Sequence, residues 1–141
     1  MYVELHAHSA YSFLDGASLP EELAAQAAEL GYEALALTDH DGVYGSLEFA
    51  HAAKAFGVRP ITGSEVTLSD GSHVTLLVES SAGYSNLSRL LTAAHAGTRP
   101  KEGSEPLPPA LDATLLAEQS DGSSASRAAR ATGSPFSEKS G

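Results

Sequence analysis

Six residues within the first 73 positions have side chains suited to holding a divalent cation. His6 and His8 stand two apart in Tyr2–His8, where Val3, Leu5 and Ala7 alternate with Glu4, His6 and His8. Alternation of period two predicts a strand, and on a strand residues i and i+2 project to one side, so both imidazoles can reach one ion. A lone His-x-His carries little weight. Asp15 follows in Leu14-Asp15-Gly16, a predicted turn, and taken singly it is an ordinary turn aspartate. His40 closes the apolar run Ala34-Leu35-Ala36-Leu37 after Thr38-Asp39, Glu65 lies late in a third predicted strand, and His73 opens a fourth. Four successive strand regions thus each bring a histidine or a carboxylate to or near a strand end, the place where sites assemble in parallel α/β folds. Mixed imidazole and carboxylate ligands suit zinc, manganese or iron. Ions bridged about 3.5–4 Å apart can polarise a phosphoryl oxygen and lower the pKa of a water. From the residues alone, the chain reads as a metal-dependent hydrolase or its relic.

The elements that must position these groups alternate along the chain. Ser18-Leu19-Pro20-Glu21 reads as a capping box with proline in the first turn, and Leu19, Leu23, Ala27 and Leu30 follow at helical spacing up to Gly31. Ala34–Leu37 is a continuous apolar run, as expected of a strand buried on both faces. A second helix is predicted over Ser46–Phe56, with Leu47, Ala50, Ala53 and Phe56 inward and Gly57 as the stop. Pro60–Leu68 and His73–Glu79 are predicted strands around the turn Ser69-Asp70-Gly71-Ser72. A third helix is predicted over Ser85–Ala96, with Leu87, Leu90, Leu91 and Ala94 on one side, and Leu111–Gln119 suits a short fourth. Strands alternating with helices argue for an α/β architecture with right-handed crossovers, while periodicity leaves an open sheet and a barrel equally possible. From Ser120 onward the chain is Ser, Ala, Gly, Thr and Arg with almost no apolar pattern, which predicts disorder over 120–141.

Composition narrows the partners. With 141 residues the chain can build one domain with a modest core. It has no cysteine, so disulfides and thiolate-ligated metals are excluded and a reducing cytoplasm is compatible. The start reads as carrying no signal peptide, and no apolar run approaches the length of a membrane span. The net charge is -10, and residues 1–97 hold 12 Asp/Glu against three Lys/Arg. A domain that grips duplex DNA needs basic groups to neutralise phosphates, so no direct DNA grip is expected here. His51 and His95 fall in predicted helices and read as surface residues, Tyr84 and Leu87 read as core, and Ser9 and Ser12 form no recognisable nucleophile arrangement. Gly42, Gly45, Gly63 and Gly71 match no phosphate-cradling pattern.

Taken together, His6-Ala7-His8-Ser9, Tyr11-Ser12-Phe13-Leu14-Asp15-Gly16 and Leu37-Thr38-Asp39-His40 resemble the PHP (polymerase and histidinol phosphatase) family. Gly45-Ser46-Leu47-Glu48-Phe49, the stretch Gly57–Glu65 and Gly83-Tyr84-Ser85-Asn86-Leu87 look more like its DNA polymerase branch, which opens bacterial C-family polymerases, and within that branch like the error-prone enzymes. The resemblance covers residues 2–119. It implies a distorted seven-stranded β/α barrel, present here in part, with up to three divalent metals held by His6, His8, Asp15, His40, Glu65 and His73. It also implies a cytoplasmic parent that meets DNA through other modules. The family completes its site with a later Cys or His and a final Asp-x-His pair, for which this sequence has no match, so the chain alone is expected to be inactive. The pattern breaks near Gly122. Read one nucleotide out of frame, Gly122–Gly133 can restore an apolar strand followed by Leu-Ser-Gly-Cys, which suggests a frameshift. The rival readings are a stand-alone PHP phosphoesterase and a non-catalytic domain stabilised by a structural ion.

Overall fold

Apolar alternation and helix stops at glycine set the element order. The structure, a computed structural model, describes residues 2–99, 101–120 and 126–129. Strand β1 (Glu4–Ala7) leads to helix α1 (Pro20–Glu29), strand β2 (Ala34–Leu37), helix α2 (Ser46–Ala55), strands β3 (Arg59–Thr67) and β4 (His73–Val78), helix α3 (Ser81–His95), helix α4 (Ala113–Ser120) and strand β5 (Ser126–Ala129). One sheet runs in the order β1-β2-β3-β4-β5. The β1–β2 and β2–β3 pairs are parallel, and the β3–β4 and β4–β5 pairs are antiparallel. This is the α/β class expected. Among the described residues the sheet has five strands and leaves β1 and β5 as its edges, an incomplete version of the barrel that the resemblance implies.

Parallel pairing aligns the C-terminal ends of β1, β2 and β3. The turn after β3 reverses the chain, with Leu68 N donating to Ser72 O at 2.8 Å and Gly71 at φ +83. That reversal pairs Thr67 with His73, so the start of β4 lies at the same end of the sheet as the finish of β3. A histidine that opens a strand therefore joins histidines that close two others.

Two apolar clusters hold the sheet. Val66, Val74, Leu76, Leu87, Leu90, Leu91, Ala94 and Leu111 form one, between β3, β4 and α3. Ala24, Ala27, Leu35, Leu37, Phe49, Ala53 and Val58 form the other, between α1, α2 and β2. The expected inner face of α3 is the observed one. The expected faces of α1 and α2 hold at Ala27 and Ala53, with Leu23 packed against the core, and fail at their larger members. Leu19, Leu30, Leu47 and Phe56 are all exposed, while Pro20, Ala24, Ala27, Phe49 and Ala53 are buried. The small residues face inward where α1 packs on α2 and β2, and where α2 packs on α1 and β3, since small side chains let helices approach closely.

Three local expectations also change. The N-cap of α1 is Leu19, not Ser18, and Glu22 closes the cap by accepting from Leu19 N at 2.8 Å. Tyr84 is exposed on α3, with only Leu87 of that pair in the core. The tail expected to be disordered over 120–141 lies mostly outside the described residues, but Ser126–Ala129 form β5 on β4. Backbone hydrogen bonds to the open edge of β4 need no apolar side-chain pattern, so this strand leaves no trace in periodicity.

Candidate metal centre

All six predicted ligands converge on one end of the sheet. His6 Nε2 lies 2.8 Å from Glu65 Oε2, His8 Nε2 lies 2.7 Å from the same oxygen, and His73 Nδ1 lies 3.1 Å from Glu65 Oε1. Asp15 contacts His40 Nε2 and stands 3.4 Å from His8 Nδ1. The four imidazoles adjoin one another in sequence, edge-on or tilted, with centroids of His6 and His8 4.8 Å apart, His8 and His40 4.4 Å, and His40 and His73 5.7 Å. Three triads can each converge on a point: His6, His8 and Glu65; His8, Asp15 and His40; His40, Glu65 and His73. His8, His40 and Glu65 each belong to two of them.

The donor chemistry fits cations. Glu65 is only 6% exposed. Burial opposes its ionisation, yet the close approach of His8, the hydrogen bond with His6 and the positive field of His40 outweigh it, so its carboxyl pKa is pulled down to about 2. Asp15 is lowered too, mainly by its contact with His40. His8 is raised, first by its contact with Glu65 and against the effect of burial. Without a metal, Glu65 and Asp15 are thus held ionised by the imidazoles around them. The match is imperfect: His8 Nε2 is buried, and its 2.7 Å approach to Glu65 lacks hydrogen-bond geometry. A ring nitrogen and a carboxylate oxygen aimed side by side at one space are arranged as metal ligands are, and less well as donor and acceptor.

Backbone strain sits beside the ligands. Among the described residues, the non-glycine positions with positive φ are Leu14 at 68° and Asp41 at 51°. They adjoin Asp15 and His40. Left-handed backbone at such residues persists only where the surroundings impose it, and it concentrates at functional sites. Gly16 serves the same loop differently: a Cβ there would meet Ser9 O at 2.0 Å, so only glycine lets the loop fold back onto the end of β1.

Several supporting residues escaped the sequence reading. Ser9, Ser12 and Asp39 are buried next to the ligands. Asp41 accepts from Thr67 N at 2.7 Å and Thr67 Oγ1 at 2.9 Å, tying the loop after β2 to the end of β3. His95 is half-buried instead of lying on the surface, and its Nε2 donates to Asp41 O at 2.6 Å. His51 is exposed as expected. The adjacency of Ser9 to His8 and of Asp39 to His40 was the available signal, since short polar residues flanking ligands often orient them. A cavity of about 640 Å³ opens beside His40, lined by Tyr11, Ser12, Phe13, Asp41, Tyr44, His95 and Pro109.

The PHP domain family matches residues 4–135. This chain belongs to the PHP family. The match runs past Gly122, where the family pattern reads as broken. The PHP chain is 45% identical over 131 residues to the error-prone DNA polymerase of Symbiobacterium thermophilum and 48% identical over 131 residues to that of Mycobacterium tuberculosis H37Rv, in each case over 86% of this chain. It is 64% identical over 67 residues to the error-prone DNA polymerase of Nocardia farcinica. It spans 12% of the length of the first two of these relatives. Among solved structures it resembles an amidohydrolase from Chromobacterium violaceum with bound sulfate and no metal, at TM-score 0.56 and 35% identity, over 67% of this chain and 34% of that one. It also resembles a protein from Bifidobacterium adolescentis named for metal-dependent phosphoesterase activity, at TM-score 0.56 and 26% identity, over 68% and 34% of the two chains. No helix among the described residues is long and apolar enough to cross a membrane.

Proposed function

We propose that this PHP chain is the N-terminal module of an error-prone bacterial DNA polymerase, acting in the cytoplasm, and that His6, His8, Asp15, His40, Glu65 and His73 hold its divalent cations. The observation that carries the site is the convergence of four imidazoles and two carboxylates from β1, β3, β4 and the loops after β1 and β2. The parentage rests on the long match to error-prone polymerases. Zinc, manganese or iron suits the donor set. Such ions, when bound, would supply Lewis-acid polarisation of a phosphoryl oxygen and activation of water. The chain's own part is to orient the donors and keep Glu65 ionised, and the groove beside His40 leaves one flank open to a phosphoester. Hydrolysis by this chain alone is expected to be negligible, because among the described residues the donors come only from β1–β4 and the loops between them. DNA would be met through the other modules of the parent, in keeping with the acidic surface of residues 1–97.

The test is thermal. Zinc or manganese at about 100 times its dissociation constant should stabilise the folded chain by roughly 2.7 kcal/mol, and His8→Ala should remove most of that gain. Unchanged melting of the native sequence in the metals at pH 7 would count against the assignment. Reading the coding DNA beyond codon 141 checks the parentage: a polymerase sequence in either frame supports it, and unrelated sequence opposes it.

A further inference from the structure

We infer that Asp39, which holds no place among the candidate ligands, is the positioning residue that sets the geometry of the cation centre. This rests on the metal-centre reading above. Asp39 is 1% exposed. Among the described residues no Lys, Arg or His nitrogen lies within ion-pair distance of it. A buried carboxylate without a cation is costly unless its oxygens are well hydrogen-bonded. Here Oδ1 accepts from Ser9 N at 2.7 Å and from Ser12 Oγ at 2.8 Å, and Oδ2 accepts from Ser9 Oγ at 2.8 Å. Gly45 closes over it, where a Cβ would stand 3.1 Å from Oδ2.

Each of these bonds ends beside a ligand. Ser9 N belongs to the peptide that follows His8, so Asp39 fixes the end of β1 that aims His6 and His8. Ser12 Oγ spends its one proton on Asp39 and accepts from His40 N at 3.0 Å. The same Ser12 receives Asp15 N and Gly16 N on its carbonyl, at 3.1 and 2.9 Å, which folds the loop bearing Asp15. The backbone of Asp39 completes the set: its carbonyl accepts from Glu65 N at 3.0 Å and from Ser64 Oγ at 3.1 Å. One residue therefore ties together the segments bearing His6, His8, Asp15, His40 and Glu65, leaving out only His73. Its charge matters as well as its shape. Both serine hydroxyls have a second partner for their oxygens, Tyr11 N on Ser9 and His40 N on Ser12, so their protons must point at Asp39. An amide nitrogen there would face a donor, and a buried negative charge next to the ligands favours a cation in the centre.

The experiment titrates Co²⁺ into the full 141-residue chain and its Asp39→Asn and Ser12→Ala variants, reading affinity by calorimetry and coordination by the visible d–d spectrum. Melting in metal-free buffer is measured alongside. Asp39→Asn should bind Co²⁺ about 10- to 100-fold more weakly with a shifted spectrum. Ser12→Ala should change the spectrum with a smaller loss, and it keeps the test open should Asp39→Asn fail to fold. Folded variants that melt earlier yet bind Co²⁺ with native affinity and spectrum would reduce Asp39 to a structural role and overturn the inference. A native chain that takes up no Co²⁺ would instead overturn the metal-centre reading and this inference with it.

Discussion

The two apolar clusters of this domain solve the same problem with different residues. On the α3 side, leucines and valines fill the space between helix and strands. On the α1–α2 side, Ala24, Ala27 and Ala53 let two helices and β2 come close, with Phe49 and Leu37 as the bulky members. The first cluster gains from volume and the second from smallness. The difference extends to function, because the candidate ligands lie chiefly with the second region: His6, His8, Asp15 and His40 all belong to β1, β2 or the loops that follow them. Where apolar mass is scarce, the strand ends are fixed by buried hydrogen bonds among Ser9, Ser12 and Asp39 instead.

Substitutions should separate the two regions. Leu87→Ala opens a cavity in the leucine cluster at a residue 1% exposed. It should cost about 2–5 kcal/mol of stability by denaturant titration, while the melting of what remains folded still rises with zinc. Ala53→Leu, at a fully buried position, is the opposite change: overpacking between α1 and α2 should cost about 1–3 kcal/mol, and it should also blunt the response to zinc, because it displaces elements that carry the site. Equal zinc responses in the two variants would mean that the site is insulated from its helices.

The pH dependence of the metal-free protein should be a smaller effect confined to the site. His8 has a raised pKa in the fold, so its contribution is complete below its ordinary value of 6.5 and fades as pH rises through the raised value. Glu65, lowered from 4.5 to about 2, contributes above 4.5 and loses that contribution as pH falls toward 2. Without metal, melting temperature should therefore be highest between pH 4.5 and 6.5, falling on the alkaline side as pH rises through the raised His8 value and on the acid side below 4.5. Saturating zinc should reverse the trend above pH 6.5, since it requires neutral imidazole. The smallest effect is expected at Leu47, which helical spacing alone places in the core: with 71% exposure, Leu47→Ala should change stability by less than about 0.5 kcal/mol.

How far the sequence could be read follows the same division. In α3, Leu87, Leu90, Leu91 and Ala94 are the large apolar residues and also the buried ones, so periodicity finds the right face. In α1 and α2, Leu19, Leu30 and Leu47 point to solvent while alanines are buried, because the choice there is made by helix proximity, which no one-dimensional pattern records. The convergence of the candidate ligands was legible because strand ends, turns and alternation place their side chains locally. Their supports were not. The roles of Asp39, Asp41 and His95 depend on contacts 26 to 54 residues away in the chain, and only the folded register brings those partners together. Strand β5 is a further case, since its pairing is made by backbone groups that every residue carries.

The central claim is spatial, and anomalous diffraction from crystals soaked in Mn²⁺ or Zn²⁺ tests it most directly. The account predicts at least one anomalous peak within ligand distance of His8 and Glu65 or of His8, Asp15 and His40, with any further ions inside the same set of six side chains. Peaks confined to other surfaces, or none at saturating metal near pH 7, would contradict it.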